Sequence, residues 1–370
     1  MNIPHCPNPL CTNFEAPNDP NWYTQYGYYT TRVFGTVSRY RCRRCRRTFS
    51  SQTFSIDYYA KKVISYTSLI DQLVTASGLI DMSRNLHVRV ETIENRLERL
   101  SRCALAIHSE LLHHLAMKED LVADGLESFS FSQYYPNHVT VVVGSDSEFI
   151  YSQGFANLRR KGRMTPAQAH TRSLLETSAK ADPRAVEKSF RNLMSNLTEH
   201  LAEKGITRKH LITDEHKAYV RALSRIKDGP VVLDHEQISS KRPRTRGNKL
   251  FPVNYLDRQI RKDVSDHVRQ TVQFARCPSA LMARMSVYRF YHNCCIPRRV
   301  KESRRGNRET HAERAGIPRE LLEDVIQRHW GKRCFLHKVN LGSEELKTWL
   351  CEWRNPGLTF GRYVPGYASV

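Results

Sequence analysis

Two apolar segments that each carry an aspartate limit the possible folds of this chain more than any other feature. Segment 121–129 (LVADGLESF) is typical of a strand that brings Asp124 to the centre of a sheet, and segment 210–214 (HLITD) of a strand that ends at Asp214. The second segment runs directly into a helical pattern at 215–223. Because the two aspartates lie on separate strands far apart in the sequence, we expect them to share one metal site.

The neighbouring segments predict a mixed α/β domain. Segments 138–143 and 148–151 flank the turn residues 144–147 (GSDS), a pattern typical of a hairpin. A helix closed by Gly205 follows, and a fifth strand is expected at 230–235. The core-facing residues of that helix are expected to be Val186, Phe190, Leu193, Met194, Leu197 and Leu201. Strand, hairpin, helix, strand, helix and strand is the element order of a ribonuclease-H-like sheet.

Four cysteines near the start of the chain have the spacing of a zinc site. Cys6 and Cys11 form a C-x4-C pair, and Cys42 and Cys45 form a C-x2-C pair. Four thiolates fill a tetrahedral zinc shell, and such closed sites are structural rather than catalytic. The segment between the pairs, rich in Tyr and Thr, has room for a small antiparallel ribbon. We expect one structural Zn²⁺ here; the alternative is a set of unrelated buried cysteines.

The balance of charge favours a polyanionic partner. The chain has 58 Lys and Arg against 37 Asp and Glu, a formal net charge of +21, and its 40% apolar residues exclude a disordered chain. Nucleic acid is therefore favoured before a membrane surface. Two basic clusters are expected to contact phosphates: Arg39, Arg41, Arg43, Arg44, Arg46 and Arg47, and Lys241, Arg242, Arg244, Arg246 and Lys249. A solvated basic face is the alternative for each.

The helical pattern at 53–117 predicts a helix-turn-helix. In this interpretation Ser83 begins a short helix, Val88 ends it, and 91–100 is the recognition helix. The side chains expected to be exposed toward DNA are Arg84, Thr92, Asn95, Arg96 and Arg99. The alternative is an ordinary helical hairpin that packs its apolar face.

The last third of the chain predicts one polar helix and a small tail. The helix is expected to begin near Asn254 and to place Asn254, Asp257 and Arg261 on one face. Residues 298–320 are basic and polar, and helical segments with three tryptophans follow from Pro318. Four further cysteines support a second zinc site only by weak spacing, so free thiols are preferred for Cys294, Cys295, Cys334 and Cys351.

Location is predicted from what the sequence lacks. It has no apolar run long enough for a transmembrane helix, and its first residues lack a signal-peptide core. We therefore expect a cytoplasmic, nucleoid-associated protein. In a reducing compartment its ten cysteines are better interpreted as metal ligands and free thiols than as disulfides.

The ordered set of motifs resembles the insertion-sequence transposases of the DDE class, in particular the zinc-ribbon type that includes the insertion-sequence-one group. The resemblance spans most of the chain: two cysteine pairs with the segment 40–49 (YRCRRCRRTF), a helix-turn-helix, two aspartate strands and an acid on a late helix. It implies an α/β, ribonuclease-H-like (retroviral-integrase-like) core. The implied domains are a zinc ribbon at 1–52, a helix-turn-helix region at 53–117, a catalytic domain at 118–297, and a basic linker with a small helical tail at 298–370.

The resemblance also implies a catalytic triad. Its acids fall on Asp124, Asp214 and Asp257, with Asp124 bridging two Mg²⁺ or Mn²⁺ ions and each of the others holding one. The family normally has Glu where this chain has Asp257, so Asp263 and Glu236 are alternative third ligands.

The expected function is binding of double-stranded DNA, at element ends and at the target, with metal-dependent cleavage and strand transfer by a homodimer or larger assembly. Lys217, Arg258 and Arg261 are expected to contact phosphates, and His235 is expected to pack rather than react. Two alternatives stay open. One is a DNA-binding regulator with a degenerate catalytic fold, and the other is a structure-selective nuclease of the same fold that cleaves but never joins ends.

Overall fold

The computed structural model describes residues 3–239, 241–268, 271–299, 303–304, 306–358 and 362–370, and its architecture is mixed α/β. Two hydrophobic clusters organise it. A small one surrounds the N-terminal cysteines, and a large one runs from Ile56 to Trp353. None of the helices in the described ranges is both long and apolar enough to cross a membrane.

Residues 3–54, here called the ribbon, carry a three-stranded antiparallel sheet. Its strands β1 (Tyr23–Thr31), β2 (Gly35–Cys42) and β3 (Thr48–Ser50) lie in the order β1-β2-β3. The ring of Trp22 stacks on Phe49, with centroids 5.5 Å apart. The predicted antiparallel ribbon between the cysteine pairs is therefore confirmed.

Three helices follow the ribbon: α1 (Tyr66–Leu73), α2 (Leu79–Asn85) and α3 (Val90–His114). The predicted short helix from Ser83 to Val88 is wrong. Gly78 is the N-cap of α2, and the Ser83 hydroxyl donates to the Val88 carbonyl at 2.6 Å, which stabilises the turn into α3. Helix α3 continues far past Leu100, because its second half is apolar on several sides and lies in the large core.

A five-stranded mixed sheet lies in the large core, with strand order β6-β5-β4-β7-β8. Its strands are β4 (Leu121–Ser130), β5 (Ser132–Gly144), β6 (Ile150–Asn157), β7 (Arg208–Asp214) and β8 (Val232–Ile238). The first three form an antiparallel meander, and β7 and β8 run parallel to β4. The predicted hairpin around 144–147 is confirmed, and the fifth strand begins two residues later than expected.

Helices connect the later strands. The exposed helix α4 (Pro166–Ser178) was not expected and buries no side chain. Helix α5 (Ala185–Glu203) buries the predicted apolar face, and Gly205 ends it with a φ of +72°. Helix α6 (Lys217–Ser224) follows β7 directly.

The remaining helices complete the core. Helix α7 (Phe251–Asp263) begins three residues before the predicted start, with Pro252 in its first turn, and the wholly buried α8 (Pro278–Phe290) packs against α3. The tail contains α9 (His311–Arg314), α10 (Arg319–His329) and α11 (Ser343–Trp349). Trp349 is fully buried, and Trp353 packs on Phe155 at 5.3 Å. The predicted basic linker at 298–320 lies partly outside the described residues.

Candidate functional site

The register of two parallel strands brings the first two aspartates together. Leu121 pairs with Leu211, and Ala123 pairs with Thr213, so the same offset places Asp124 beside Asp214. Neighbours in register project from the same face of a sheet. Burial is the main reason that the pKa of Asp124 is raised to about 6, and the charge of Asp214 also raises it. The two carboxylates therefore share one electrostatic environment.

Helix α7 adds the third aspartate to this face. Asp257 is half-buried as a residue, but its Oδ1 atom is fully buried and has no hydrogen-bond partner among the described residues. Burial, and then the charge of Asp124, raise the pKa of Asp257 to about 7. A buried carboxylate oxygen without a partner is costly unless a cation or proton satisfies it.

Tyr219 on α6 lies close to all three acids. Its ring is fully buried, and burial and the charges of Asp124, Asp214 and Asp257 raise the pKa of its hydroxyl well above the usual value. That hydroxyl is 3.2 Å from Nε2 of His138 on β5. Neither residue was singled out from the sequence, since nothing in the local pattern relates a helical Tyr to a strand His.

Gly125 makes room for His138. A Cβ atom at Gly125 would lie 1.7 Å from Cε1 of His138, so the imidazole crosses the strand where a side chain is missing. The strand continues to Ser130, which shows that Asp124 and Gly125 do not form a strand-end turn.

We expect Gly125→Ala to lower the free energy of unfolding by about 1–3 kcal/mol, because the buried ring must move. Chemical denaturation measures this. Gly366→Ala, where a Cβ meets nothing within 4 Å, is the control. Adding His138→Ala to Gly125→Ala should recover part of the loss; full stability of Gly125→Ala alone would contradict the close packing.

The alternative third acids have other partners. Glu236 accepts hydrogen bonds from Lys249 at 2.7 and 2.9 Å and lies 3.1 Å from His210. Asp263 accepts from the Tyr288 hydroxyl at 3.3 Å and from Lys262 at 3.0 Å. Both carboxylates thus have hydrogen-bond partners, whereas Oδ1 of Asp257 has none within the described ranges.

Several exposed cations lie on the elements that carry or adjoin the carboxylates. Arg242, Arg244 and Arg246 are exposed on the loop 241–249, and the charge of Arg244 lowers the pKa of both Asp124 and Asp257. Lys217 is exposed at the start of α6, and Arg258 is exposed on α7. His235 lies on β8, and its Nε2 atom is within hydrogen-bond distance, 2.8 Å, of the Thr213 hydroxyl on β7.

A groove of about 900 Å³ adjoins this site and is called the side groove. Phe129, Pro136 and Leu158 are among its apolar lining. Its cationic lining consists of Arg159, Arg160, Lys161, Lys217 and Arg221. His216 also lines it, and the His216 amide donates to Asp214 at 3.0 Å, so the groove opens beside the acids.

The four N-terminal cysteines form a metal-binding cluster. Their sulfur atoms all lie within 4.8 Å of one another, with Cys6 3.5 Å from Cys45 and Cys11 3.8 Å from Cys42. This set can bind a structural zinc ion. Across the described ranges no other group of three or more such ligands is this close, so Cys294, Cys295, Cys334 and Cys351 form no second site there.

The ribbon arginines are well placed to contact a polyanion. Arg43, Arg44, Arg46 and Arg47 are exposed, and Arg41 lies over the exposed ring of Tyr26 at 4.6 Å. Arg39 lies over the same ring at 5.7 Å. Guanidinium groups held on an exposed ring are suited to phosphate and base contacts.

The predicted recognition helix does not expose the arginines that were expected to face DNA. Arg84 is exposed, and Thr92 and Asn95 are half-buried, but Arg96 and Arg99 are buried, so the prediction that they are exposed is wrong. Arg96 donates to the Lys62 carbonyl at 2.8 Å and Arg99 to the Ile56 carbonyl at 2.6 Å. Both also donate to the side chain of Asn95. Helical spacing cannot distinguish an arginine facing DNA from one that satisfies the backbone of a preceding loop.

Because Arg96 satisfies a backbone carbonyl, we expect Arg96→Met to lower the free energy of unfolding by about 1–3 kcal/mol. The exposed Arg84→Met is the matched control and should change it by less than about 0.5 kcal/mol. Urea denaturation of the zinc-loaded protein measures both. Unchanged stability of Arg96→Met, together with weaker DNA binding, would restore the DNA-facing interpretation.

Comparison of the chain with protein-family models gives no match, and comparison with curated proteins gives no significant match. The function is therefore argued from the geometry of the site and its surroundings.

Proposed function

We propose that this protein is a DNA transposase that cuts phosphodiester bonds at the ends of an insertion element and joins the freed ends to target DNA. The observation that carries the proposal is the buried Oδ1 of Asp257, which has no hydrogen-bond partner in the part of the chain that the structure describes and lies on a face shared with Asp124 and Asp214. A site in which the charge of Asp124 is close to those of both Asp214 and Asp257 is a costly arrangement that bound cations would stabilise.

The sheet supports this proposal. An antiparallel meander followed by two parallel strands, in the order β6-β5-β4-β7-β8, is what a ribonuclease-H-like core requires. In such a core the first acid lies on the central strand, and here Asp124 lies on β4, between β5 and β7. The third acid comes from a helix, as Asp257 does on α7.

The carboxylates suit two hard divalent ions better than one. Their oxygens are not all within 4.8 Å of one another, whereas the ribbon sulfurs are. Asp124, Asp214 and Asp257 would together hold the Mg²⁺ or Mn²⁺ ions. When bound, such ions activate the attacking oxygen and stabilise the leaving oxygen of a phosphodiester.

The chain's own residues would position the DNA. Arg244 lies near the acids and offsets the negative charge of the scissile phosphate. The side groove is lined by five cations and by the three acids Glu127, Asp182 and Glu215, with apolar surface between them. The excess of cations and the apolar surface would suit a single strand entering the site. Tyr219 and His138 form the buried support beneath the carboxylates.

The ribbon and the helices α1–α3 would bind the duplex. One structural Zn²⁺ on Cys6, Cys11, Cys42 and Cys45 would hold the exposed arginines in place. On α2 and α3, Arg84 and Thr92 would make the DNA contacts, since Arg96 and Arg99 are buried. A dimer or larger assembly follows from the need to hold two DNA ends.

The test is a strand-transfer assay with the DNA that flanks the reading frame, in which terminal inverted repeats are expected. Incubation with Mg²⁺ should yield nicked ends and then products joined through the 3′ end. Binding without cleavage would favour a regulator. Cleavage without any joined product would favour a nuclease of the same fold.

A further inference from the structure

A second cluster of titratable side chains, separate from the aspartates, lies where the tail meets α3 and the ribbon. Cys334 Sγ is 3.8 Å from Nδ1 of His329, at the end of α10, and Nε2 of the same ring is 2.6 Å from the carboxylate of Glu110 on α3. A thiol, an imidazole and a carboxylate in this order can hold a thiolate beside an imidazolium. The proposed DNA chemistry does not use these residues.

Cys103 is the second thiol of this cluster. It lies on α3, is almost fully buried, and its thiol donates to the His329 carbonyl at 3.4 Å. The neighbouring Cys103 thiol, which contacts the same His329, lowers the pKa of Cys334; burial opposes this, the His329 imidazole lowers it further, and the resulting pKa is about 6. Burial opposes ionisation of His329, but Cys334 and Glu110 outweigh it, so the pKa of His329 is raised.

Solvent reaches this cluster through a cavity. The cavity has a volume of about 560 Å³, and both Cys334 and His329 line it. Cys334 is partly exposed. The other charged groups that line the cavity are Arg328, Lys332, Arg333 and Lys338, all cationic. A cationic, open cavity attracts anionic or polar oxidants and favours the thiolate.

We propose that Cys334 is a nucleophilic thiolate that reacts with small peroxides, and that Cys103 resolves the product to an intramolecular disulfide. The Cys334 sulfur attacks one oxygen of hydrogen peroxide, the O–O bond breaks, and the leaving hydroxide takes a proton from His329 to become water. The Cys103 sulfur then attacks the Cys334 sulfenic acid, the S–O bond breaks, and a second water leaves with the Cys103 proton. Two thiols and one peroxide thus give one disulfide and two waters.

A metal site is the less favourable interpretation of the same residues. The sulfur and nitrogen atoms of Cys103, Cys334 and His329 are not all within 4.8 Å of one another, unlike the ribbon cysteines. Glu110 also accepts from Arg328, so its carboxylate is already engaged.

The disulfide would connect α3 to the segment that holds the ribbon. The backbones of Lys332 and Ser55 pair in an isolated antiparallel β-bridge. On either side of it, the Arg333 amide donates to the Phe54 carbonyl and the Ile56 amide donates to the Gly331 carbonyl, each at 3.0 Å. Oxidation would therefore fix the contact between the ribbon and the body of the protein.

Alkylation of the zinc-loaded, full-length protein tests the nucleophile without any substitution. We expect iodoacetamide to modify Cys334 at pH 7 at least about tenfold faster than Cys295. The residue Cys295 is exposed as a whole, but burial around its sulfur atom raises the pKa of the thiol to about 12, so little thiolate is present there at pH 7. The rate at Cys334 should have a midpoint near pH 6. Peptide mapping by mass spectrometry gives both rates. A midpoint at or above the ordinary thiol value of about 8.5, or a rate no faster than at Cys295, overturns the proposal.

Oxidation tests the resolving thiol. One equivalent of hydrogen peroxide should give a Cys103–Cys334 linked peptide, and Cys103→Ser should instead give a sulfenic acid on Cys334 that dimedone traps. His329→Gln should move the alkylation midpoint of Cys334 upward, and Glu110→Gln should move it less. Absence of the linked peptide, or a second zinc ion per chain that protects Cys334 from alkylation, overturns the proposal.

Discussion

Replacement of Asp257 by Asn should abolish activity and stabilise the protein at the same time. We expect strand transfer to fall by on the order of 10³-fold, because a ligand that neutralises the reacting phosphate is lost. Without divalent ions, the free energy of unfolding at pH 7.5 should rise by about 1–3 kcal/mol, because the substitution removes a buried, repelled charge. A loss of strand transfer together with a gain in stability would identify Asp257 as a residue retained for function rather than for folding.

The pH dependence of this stabilisation follows from the raised pKa of Asp257. The carboxyl group has an ordinary pKa of 3.8, which burial and then the charge of Asp124 raise to about 7 in the folded protein. Stability of the parent should therefore fall as pH rises from about 4 to about 7, and the Asn variant should lack this part of the fall. Thermal unfolding across this range, with and without Mg²⁺, measures the difference. Mg²⁺ should raise the melting temperature of the parent much more than that of Asp257→Asn.

Asp263→Asn is the matched control on the same helix. Its carboxylate accepts from Tyr288 and Lys262, so its loss should lower stability slightly and leave strand transfer and the Mg²⁺ effect largely unchanged. If Asp263→Asn abolishes activity while Asp257→Asn retains it, the third ligand has been assigned to the wrong acid.

The sequence was sufficient for features that depend on local spacing. The cysteine pairs, the apolar face of α5 and the strand that ends at Asp214 each lie within a few turns or residues of chain, so periodicity and ligand spacing reveal them. The contribution of Tyr219 and His138 could not be predicted in the same way. They lie 81 residues apart and meet only because α6 packs against the sheet beside a glycine.

The arginines of α3 show a second limit of sequence reasoning. Arg96 and Arg99 follow a polar, helix-turn-helix-like pattern, but the loop between the ribbon and α1 leaves carbonyls that these side chains satisfy. A buried arginine that bonds to backbone has the same sequence signature as one that reads DNA. Only the path of that loop distinguishes the two cases.

Loss of zinc should unfold the ribbon and leave the body of the protein folded. The small hydrophobic cluster of the ribbon consists of the buried Ile3, Trp22 and Phe49 with three of the cysteines, and the partly buried Tyr23, Tyr40 and Phe54 pack against it. So small a core is expected to need the metal to hold 3–54 folded. The large core begins at Ile56 and contains none of the four zinc-binding cysteines of the ribbon. We expect Cys42→Ser to remove the zinc. Backbone amides at 23–50 should then lose their protection from hydrogen exchange, while amides at 121–144 should keep theirs.

The same substitution should weaken DNA binding through lost phosphate contacts. We expect a loss in affinity of at least about tenfold at moderate salt, and a slope of log affinity against log salt that is smaller by about one for each phosphate contact removed. Titration of labelled duplex at several salt concentrations measures both. Cys295→Ser, at an exposed residue outside the cluster, should keep one zinc per chain and the parent slope. A Cys42→Ser protein that keeps its zinc and its salt dependence would show that the ribbon neither needs the metal nor contacts the DNA, because an unfolded ribbon cannot hold its arginines against the phosphates.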